Sequence, residues 1–268
     1  MRARLVFFLF LLLPLGTAGP LPAAEPSPLE FAGRARVVAV IDGDTVVLDD
    51  GRQVRLVGIQ APKLPLGRVG FETWPFADEA KAALEALVQG RTVTLGYGGR
   101  RVDRHGRALA HLYLGEAGPQ PDGWVQGALL EQGLARVYSF ADNRALVADM
   151  LALERRARRE NRGIWADAFY GIRRPEEALG HVGSFQIVEG HVVEASIVRG
   201  RAYLNFGEDW RSDFTVTLSP AVRRRFERDG IDPVSYGGRR VRVRGWIDSF
   251  NGAMIEATHP EQIEVVEE

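Results

Sequence analysis

Two aspartates one glycine apart, Asp42 and Asp44 in IDGDT, precede Arg55, Gln60 and Lys63 in QVRLVGIQAPK; DRHGR then supplies Asp103, His105 and Arg107. Carboxylates gathered in a turn can hold a hard cation, which takes oxygen ligands. A guanidinium grips two phosphate oxygens with fixed geometry, whereas an ammonium meets them as a point charge. Together these residue types describe chemistry on a phosphate ester. Asp44, Asp42 and, weakly, the amide oxygen of Gln60 are the candidate metal ligands, and Glu72 is close enough in sequence to lean in. Arg55, Lys63 and Arg107 are the candidate anion ligands. A plainer reading competes: aspartates cap turns by accepting backbone hydrogen bonds, and the arginines would pair with Asp42, Asp44 or Asp103. Lys63 is a poor general base because its ammonium stays protonated near neutral pH. His105 titrates in a useful range, but it sits in a hairpin turn where a histidine is ordinarily incidental.

These residues need a strand framework. ARVVAVI and TVVLD flank the DGD turn, and DDG makes a hairpin into QVRLVGI. PFADEAKAALEALVQG reads as a helix, with Pro75 in its first turn, Asp78 and Glu79 near its amino end and Gly90 closing it. Ala80, Ala83, Leu84, Leu87 and Val88 form its expected inward face. RTVTLGY and RALAHLYL are further strands, WVQGALLEQG is a second helix and NRALVADMLALERRARRENRGIW a third. Leu146, Met150, Leu153 and Ala157 recur there at helical spacing, and Arg155, Arg156, Arg158 and Arg159 read as a solvated face. GYGGRR lacks phosphate-loop spacing and reads as a hairpin or loop.

PEEALGHVGS marks a boundary. Beyond it FQIVEGHVVEASIVRG, RAYLNFG, DFTVTLS, RRVRVRGWIDS and AMIEATHPEQIEVV read as five strands, with PAVRRRFERDG as a helix between the third and fourth. That order fits an OB barrel. Tyr203, Phe206, Trp210, Phe214, Trp246 and Phe250, near Arg199, Arg201, Arg242 and Arg244, are candidates for a single-strand platform. Core filling and ordinary half-exposed alternation account for the same residues.

The chain opens with Arg2 and Arg4, then LVFFLFLLLPLG and small residues. That is the layout of a secretory signal peptide, too short for a comfortable membrane span, with cleavage expected after Ala24. A periplasmic or secreted protein follows. Cysteine is absent, which excludes disulfides, thiolate metal sites and a cysteine nucleophile. The formal net charge of −1 does not describe a strongly basic nucleic-acid coat, although a local basic site is compatible with it.

IDGDT, QVRLVGIQAP, DRHGRALAHLYL and ALLEQGLARVYSF, followed by a helix ending in NRGIW, resemble the staphylococcal nuclease, or thermonuclease, family over about residues 34–167. The resemblance implies a five-stranded OB barrel with three helices for the first region, and with the strand order beyond it the expected fold is mainly β with helices: a thermonuclease-like OB barrel over 31–170, a linker at 171–183 and a second, smaller OB-like barrel over 184–268. Active members are calcium-dependent nucleases acting on DNA or RNA. By resemblance Asp44 matches a calcium-binding aspartate, Asp42 the other acid of the turn, and Arg55 and Arg107 the clamp on the scissile phosphate. Asp103 matches the aspartate that opens the second motif. Gln60 stands where a second calcium-binding aspartate is expected and Lys63 where a glutamate orients the attacking water; Ala61 replaces a threonine that ligates through its carbonyl. Two of three central carboxylates are missing. No cofactor is fixed by the residues, calcium being the ion the resemblance implies.

The expectation is therefore an exported thermonuclease-fold protein with a degenerate site. It would bind single-stranded nucleic acid, a phosphorylated small molecule or an envelope protein. An active metal-dependent phosphodiesterase and a cell-envelope protein-interaction module are the alternatives.

Overall fold

The computed structural model describes residues 28–115 and 123–266, so the expected signal peptide lies outside the described residues. Strands β1 (Glu30–Asp42), β2 (Thr45–Leu48), β3 (Gln53–Leu56), β5 (Thr92–Tyr97) and β6 (Ala108–Leu114) close a barrel in the order β1-β2-β3-β6-β5. The short strand β4 (Gly58–Gln60) leaves this barrel and pairs antiparallel with β7 (Arg136–Tyr138). Alternation explains the closure. Val37, Val46, Leu48, Val54, Leu56, Val93, Leu95 and Leu112 are at most 1% exposed and fill the interior.

Helices α1 (Ala77–Val88), α2 (Val125–Glu131) and α3 (Val147–Arg159) cover the barrel. The first buries Ala80, Leu84 and Val88 with Ala83 and Leu87 packed beside them, as the helical spacing predicts. In α3, Met150 and Ala157 are buried as expected, but Leu146 is the residue before the helix, in a left-handed conformation. Glu154 is also buried, which an apolar pattern does not foresee. The arginines of α3 are not simply solvated: Arg158 meets Glu154, Arg156 meets Glu131 and Arg155 reaches Glu264.

The second region is built from β8 (Phe185–His191), β9 (Glu194–Val198), β10 (Arg201–Asn205), β11 (Thr215–Leu218), helix α4 (Pro220–Arg228), β12 (Arg240–Trp246), β13 (Asp248–Ser249), β14 (Ala253–Glu256) and β15 (Ile263–Val265). Its strands form two sheets over one core, ordered β13-β14-β11-β10-β9 and β15-β12-β8, rather than one recorded closed ladder. The first, fourth and last strands read from the sequence each divide in two. The expected linker is itself packed: a 3-10 helix at Pro175–His181 buries Ala178 in the second core, and Arg173 bridges to Val188. No helix among the described residues is long and apolar enough to cross a membrane.

The two regions meet through polar side chains. Arg244 of β12, 1% exposed, lies 3.0 Å from Glu154 of α3 and 2.6 Å from Glu264 of β15. Arg144 holds Glu261 and Asp229, each at 2.8 Å. His259 Nε2 lies 2.7 Å from Ser139 Oγ, and burial pulls the His259 pKa down to about 4.

Candidate functional site

The β1–β2 turn places Asp42 and Asp44 at the barrel rim. The Asp44 amide donates to Asp42 Oδ1 at 3.1 Å, so Asp42 does cap its own turn. Gly43 is wedged between α1 and the segment that follows β4: a Cβ there would come 2.7 Å from the Ala61 Cβ and 2.8 Å from the Ala80 Cβ of α1. Asp44 is fully buried, and four donors converge on its carboxylate. Ala61 N–H donates at 2.7 Å, Lys63 Nζ at 2.6 Å and Thr45 Oγ1 at 3.3 Å, while Arg55 Nη1 stands 3.2 Å away. Lys63 Nζ is also 3.7 Å from Asp42. The lysine ammonium thus sits between the two aspartates.

Charge and burial act against each other here. Burial alone would raise the Asp44 pKa, but Arg55, Lys63 and the Ala61 amide outweigh it and hold the carboxyl at about 2. Burial and the neighbouring Asp44 charge push Asp42 upward, opposed by Lys63 and Arg55. Burial lowers the Lys63 pKa, and the attraction of Asp44 offsets part of that.

Gln60 turns away from this cluster. Its Oε1 accepts from Arg136 Nε at 3.0 Å and Nη2 at 2.7 Å, across the β4–β7 pair. Arg136 is buried beside Phe185, whose ring centroid is 4.7 Å from its guanidinium carbon. Burial draws the Arg136 pKa down to about 10, which leaves it charged at neutral pH. Ala61 uses its amide on Asp44, and Glu72 is exposed in its loop.

The two expected clamp arginines share one groove and both have internal partners. Arg55 donates to the carbonyls of Leu56 at 2.8 Å and Ile59 at 2.7 Å besides facing Asp44. Arg107 is gripped by Asp103 at 2.8 Å. Several donors outweigh the burial of Asp103 and lower its pKa: the Arg107 backbone N–H, the Arg107 guanidinium and the His105 N–H. The parallel β3–β6 pairing, with Arg55 opposite Leu109, is what brings the DRHGR turn alongside Arg55. His105 is exposed at the turn and receives Arg104 Nε at 3.1 Å.

The groove itself, about 520 Å³, extends past these arginines. Arg100 and Arg104 add cations to its lining, and Tyr138, Phe140 and Trp246 add aromatic rings, Phe140 and Trp246 each 49% exposed. Trp246 comes from the second region and donates its indole N–H to Tyr138 Oη at 2.8 Å. Of the aromatics singled out in the sequence for the second region, then, Trp246 faces the first region. Phe206 and Phe214 are core, and Tyr203, Trp210 and Phe250 line a different groove. Three of the four nearby arginines are engaged: Arg242 with Glu189, Arg244 with Glu154, and Arg201 with Glu256. Tyr138 and Phe140 lie in LARVYSF, whose alternation marked a strand without marking which face meets the groove. Arg136, Glu154 and Arg244 carried no sequence signal of a buried role.

Residues 53–167 match the model of the staphylococcal nuclease homologue family. Protein ParB of Escherichia coli is 36% identical over 154 residues, covering 55% of this chain and 79% of that protein. An uncharacterized endonuclease of Escherichia coli O157:H7 is 34% identical over 137 residues, or 50% of this chain and 77% of the relative. The thermonuclease of Staphylococcus hyicus is 27% identical over 153 residues, covering 53% of this chain and 86% of that enzyme.

Proposed function

This chain belongs to the staphylococcal nuclease homologue family, and we propose that its groove binds single-stranded nucleic acid without cutting it by the calcium route. One observation carries the binding. Arg55, Arg100, Arg104 and Arg107 line the same groove as Tyr138, Phe140 and Trp246. Basic side chains that follow a phosphate backbone, beside rings on which bases stack, are the two parts of a sequence-tolerant single-strand site. Asp103 and Asp142 moderate the positive charge, so moderate affinity with clear salt dependence is the expectation.

The residues at the barrel rim do not fit a calcium ion. That ion takes six to eight oxygens, with carboxylate charge setting affinity. Asp44 already accepts from Lys63 and Ala61, Gln60 directs its oxygen at Arg136, and the Lys63 ammonium stands between Asp42 and Asp44. A tethered cation supported by the fold replaces a diffusible one. The groove keeps its attraction for a polyanion, while the means to activate water are reduced. Export belongs to the same reading and rests on the pattern of residues 1–24; amino-terminal sequencing of the protein recovered from the cell would find Ala24 removed.

The relatives named as endonuclease and thermonuclease favour a second reading, metal-dependent hydrolysis. One experiment separates the two. Fluorescence anisotropy with a labelled oligothymidylate, titrated with salt, is run beside a cleavage assay with calcium, magnesium or chelator. Binding that falls with salt, weakens in Arg104→Ala and Phe140→Ala and gives no product supports the proposal. Metal-dependent cutting establishes the second reading. A folded protein that does not bind the oligonucleotide overturns the first.

A further inference from the structure

The outer face of the five-stranded sheet carries a second groove, of about 460 Å³, unconnected with the arginines described above. Strand alternation builds it. Ala202 and Leu204 of β10 point into the core, which sends Tyr203 and Asn205 to the opposite face. Register then aligns Glu194, Asn205, Thr215 and Met254 in one row across β9, β10, β11 and β14. Ser196, Tyr203 and Thr217 make the adjacent row. Two connections wall the groove: Trp210, 50% exposed, from the β10–β11 loop, and Phe250, 69% exposed, from the β13–β14 turn.

The chemistry of this lining is specific. Glu194 is the sole charged residue of the lining. Two cations stand at its margin: Arg201, paired with Glu256, donates to the Thr217 hydroxyl at 3.4 Å, and the Arg211 guanidinium lies over the Trp210 ring, 4.4 Å from its centroid. The carboxylate of Glu194, the hydroxyls of Ser196 and Tyr203, the indole N–H of Trp210 and the Asn251 amide make no hydrogen bond with other described residues; Asn205 uses only its oxygen, accepting from Thr215. A phosphate chain would meet a carboxylate without a counter-charge. A purely apolar ligand would cover these donors and acceptors without replacing their water.

We infer that this groove is a binding site for a neutral oligosaccharide. Pyranose rings present C–H faces to exposed aromatic rings and hydroxyls to amide, hydroxyl and carboxylate groups at their edges. That matches an apolar lining in which a few polar groups fix orientation. Small β-barrels and related sheets use such a face, with the loops at its rim, for oligosaccharides as well as for oligonucleotides. Here the Glu194 carboxylate, left without a cation partner among the described residues, selects between them. The site is separate from the arginine groove, so the inference stands whether or not that groove binds nucleic acid.

The test is calorimetric titration of the full chain with chitotetraose, cellotetraose and maltotetraose, with an oligothymidylate and a proline-rich peptide as the other arms. The expected result is saturable binding of at least one tetrasaccharide with Kd at or below about 1 mM, the weak end of specific recognition. Trp210→Ala and Phe250→Ala, both at exposed rings, are expected to weaken it about tenfold, as truncation of aromatic anchors does, with unchanged circular dichroism and melting. Arg104→Ala, in the other groove, leaves it unchanged. No tetrasaccharide binding by folded protein overturns the inference, as does sugar binding indifferent to both ring substitutions. So does peptide or oligonucleotide binding that the ring substitutions abolish in place of sugar binding.

Discussion

A single ammonium decides the character of the rim. Lys63 lies 2.6 Å from Asp44 and 3.7 Å from Asp42, within reach of two carboxylates whose other neighbours include Arg55, the Thr45 hydroxyl and backbone amides. Lys63→Glu would set three carboxylates together with Arg55 as their nearest cation, and like charges at such separations repel strongly in a half-buried setting. The expected outcome is a lower melting temperature in chelator, recovered by millimolar calcium through linkage to the folded state, with no such calcium effect in the parent. Thermal melts in both conditions check this, and a variant indifferent to calcium would refute it. Adding Gln60→Asp is less informative than the missing carboxylate pair implied, because Arg136 already holds that position and would capture the new charge. Asp44 also makes a pH prediction. Its folded pKa of about 2 lies below the ordinary 3.8, so its stabilising contribution is complete above the ordinary value and lost as pH falls through the folded one. Asp42, shifted upward, acts in the opposite sense over its own range. Denaturant melts between pH 5 and 2 should therefore fall less steeply in Asp44→Asn than in the parent, from a starting stability lower by about 3–5 kcal/mol for a broken buried pair.

Among the elements, the β1–β2 turn and α1 are pressed together at Gly43. A methyl there meets two alanine Cβ atoms at 2.7 and 2.8 Å, closer than packed carbons approach, so the turn, the helix or the segment after β4 must move. Gly43→Ala is expected to cost about 1–3 kcal/mol as overpacking. It should also displace the Asp44 contact with Ala61 N–H, seen as accelerated exchange of that amide. An unchanged Ala61 amide would show that the turn absorbs the methyl elsewhere. The β4–β7 pair has a related function. It lifts Gln60 out of the barrel ladder and fixes its oxygen on Arg136, which is why a residue expected to face a metal instead supports a buried cation.

For the whole molecule, the junction between the two regions is ionic at its centre and carries Trp246 to the groove. Arg244, Glu154 and Glu264 form a buried set, and His259 lies against Ser139 at the same junction. Burial lowers the His259 pKa to about 4 from 6.5, so the folded state takes up its proton less readily than the unfolded chain does. The sign follows: stability falls as pH drops from the ordinary value toward the folded one and is intact above it. Calorimetric melts from pH 7 to 4 should show one transition moving down in temperature, with a shallower slope in His259→Gln. Equal slopes would remove His259 as the cause. Glu154 contributes in the same direction over the carboxyl range, since Arg244 and Arg158 overcome its burial and lower its pKa, so its stabilising contribution is present above the ordinary value and lost as pH falls through the folded one.

Read as a string, the chain determined the barrel, its three covering helices and the family. Alternation and helical spacing are local patterns, and the IDGDT, RLVGIQAP and DRHGR segments keep their residue types and order. That Gln60 and Lys63 stand where the resemblance expects carboxylates is an expectation the string alone supplies. Only the folded chain decided what those replacements do, because a lysine's partners are set by where a distant turn places Asp44. Tertiary structure also divided the second region's aromatics between core, one groove and another, a matter of which face each strand turns outward. The buried Glu154–Arg244 pair shows the limit most clearly. Two charged residues 90 positions apart give no local signal, and their burial is supportable only because folding brings each to the other.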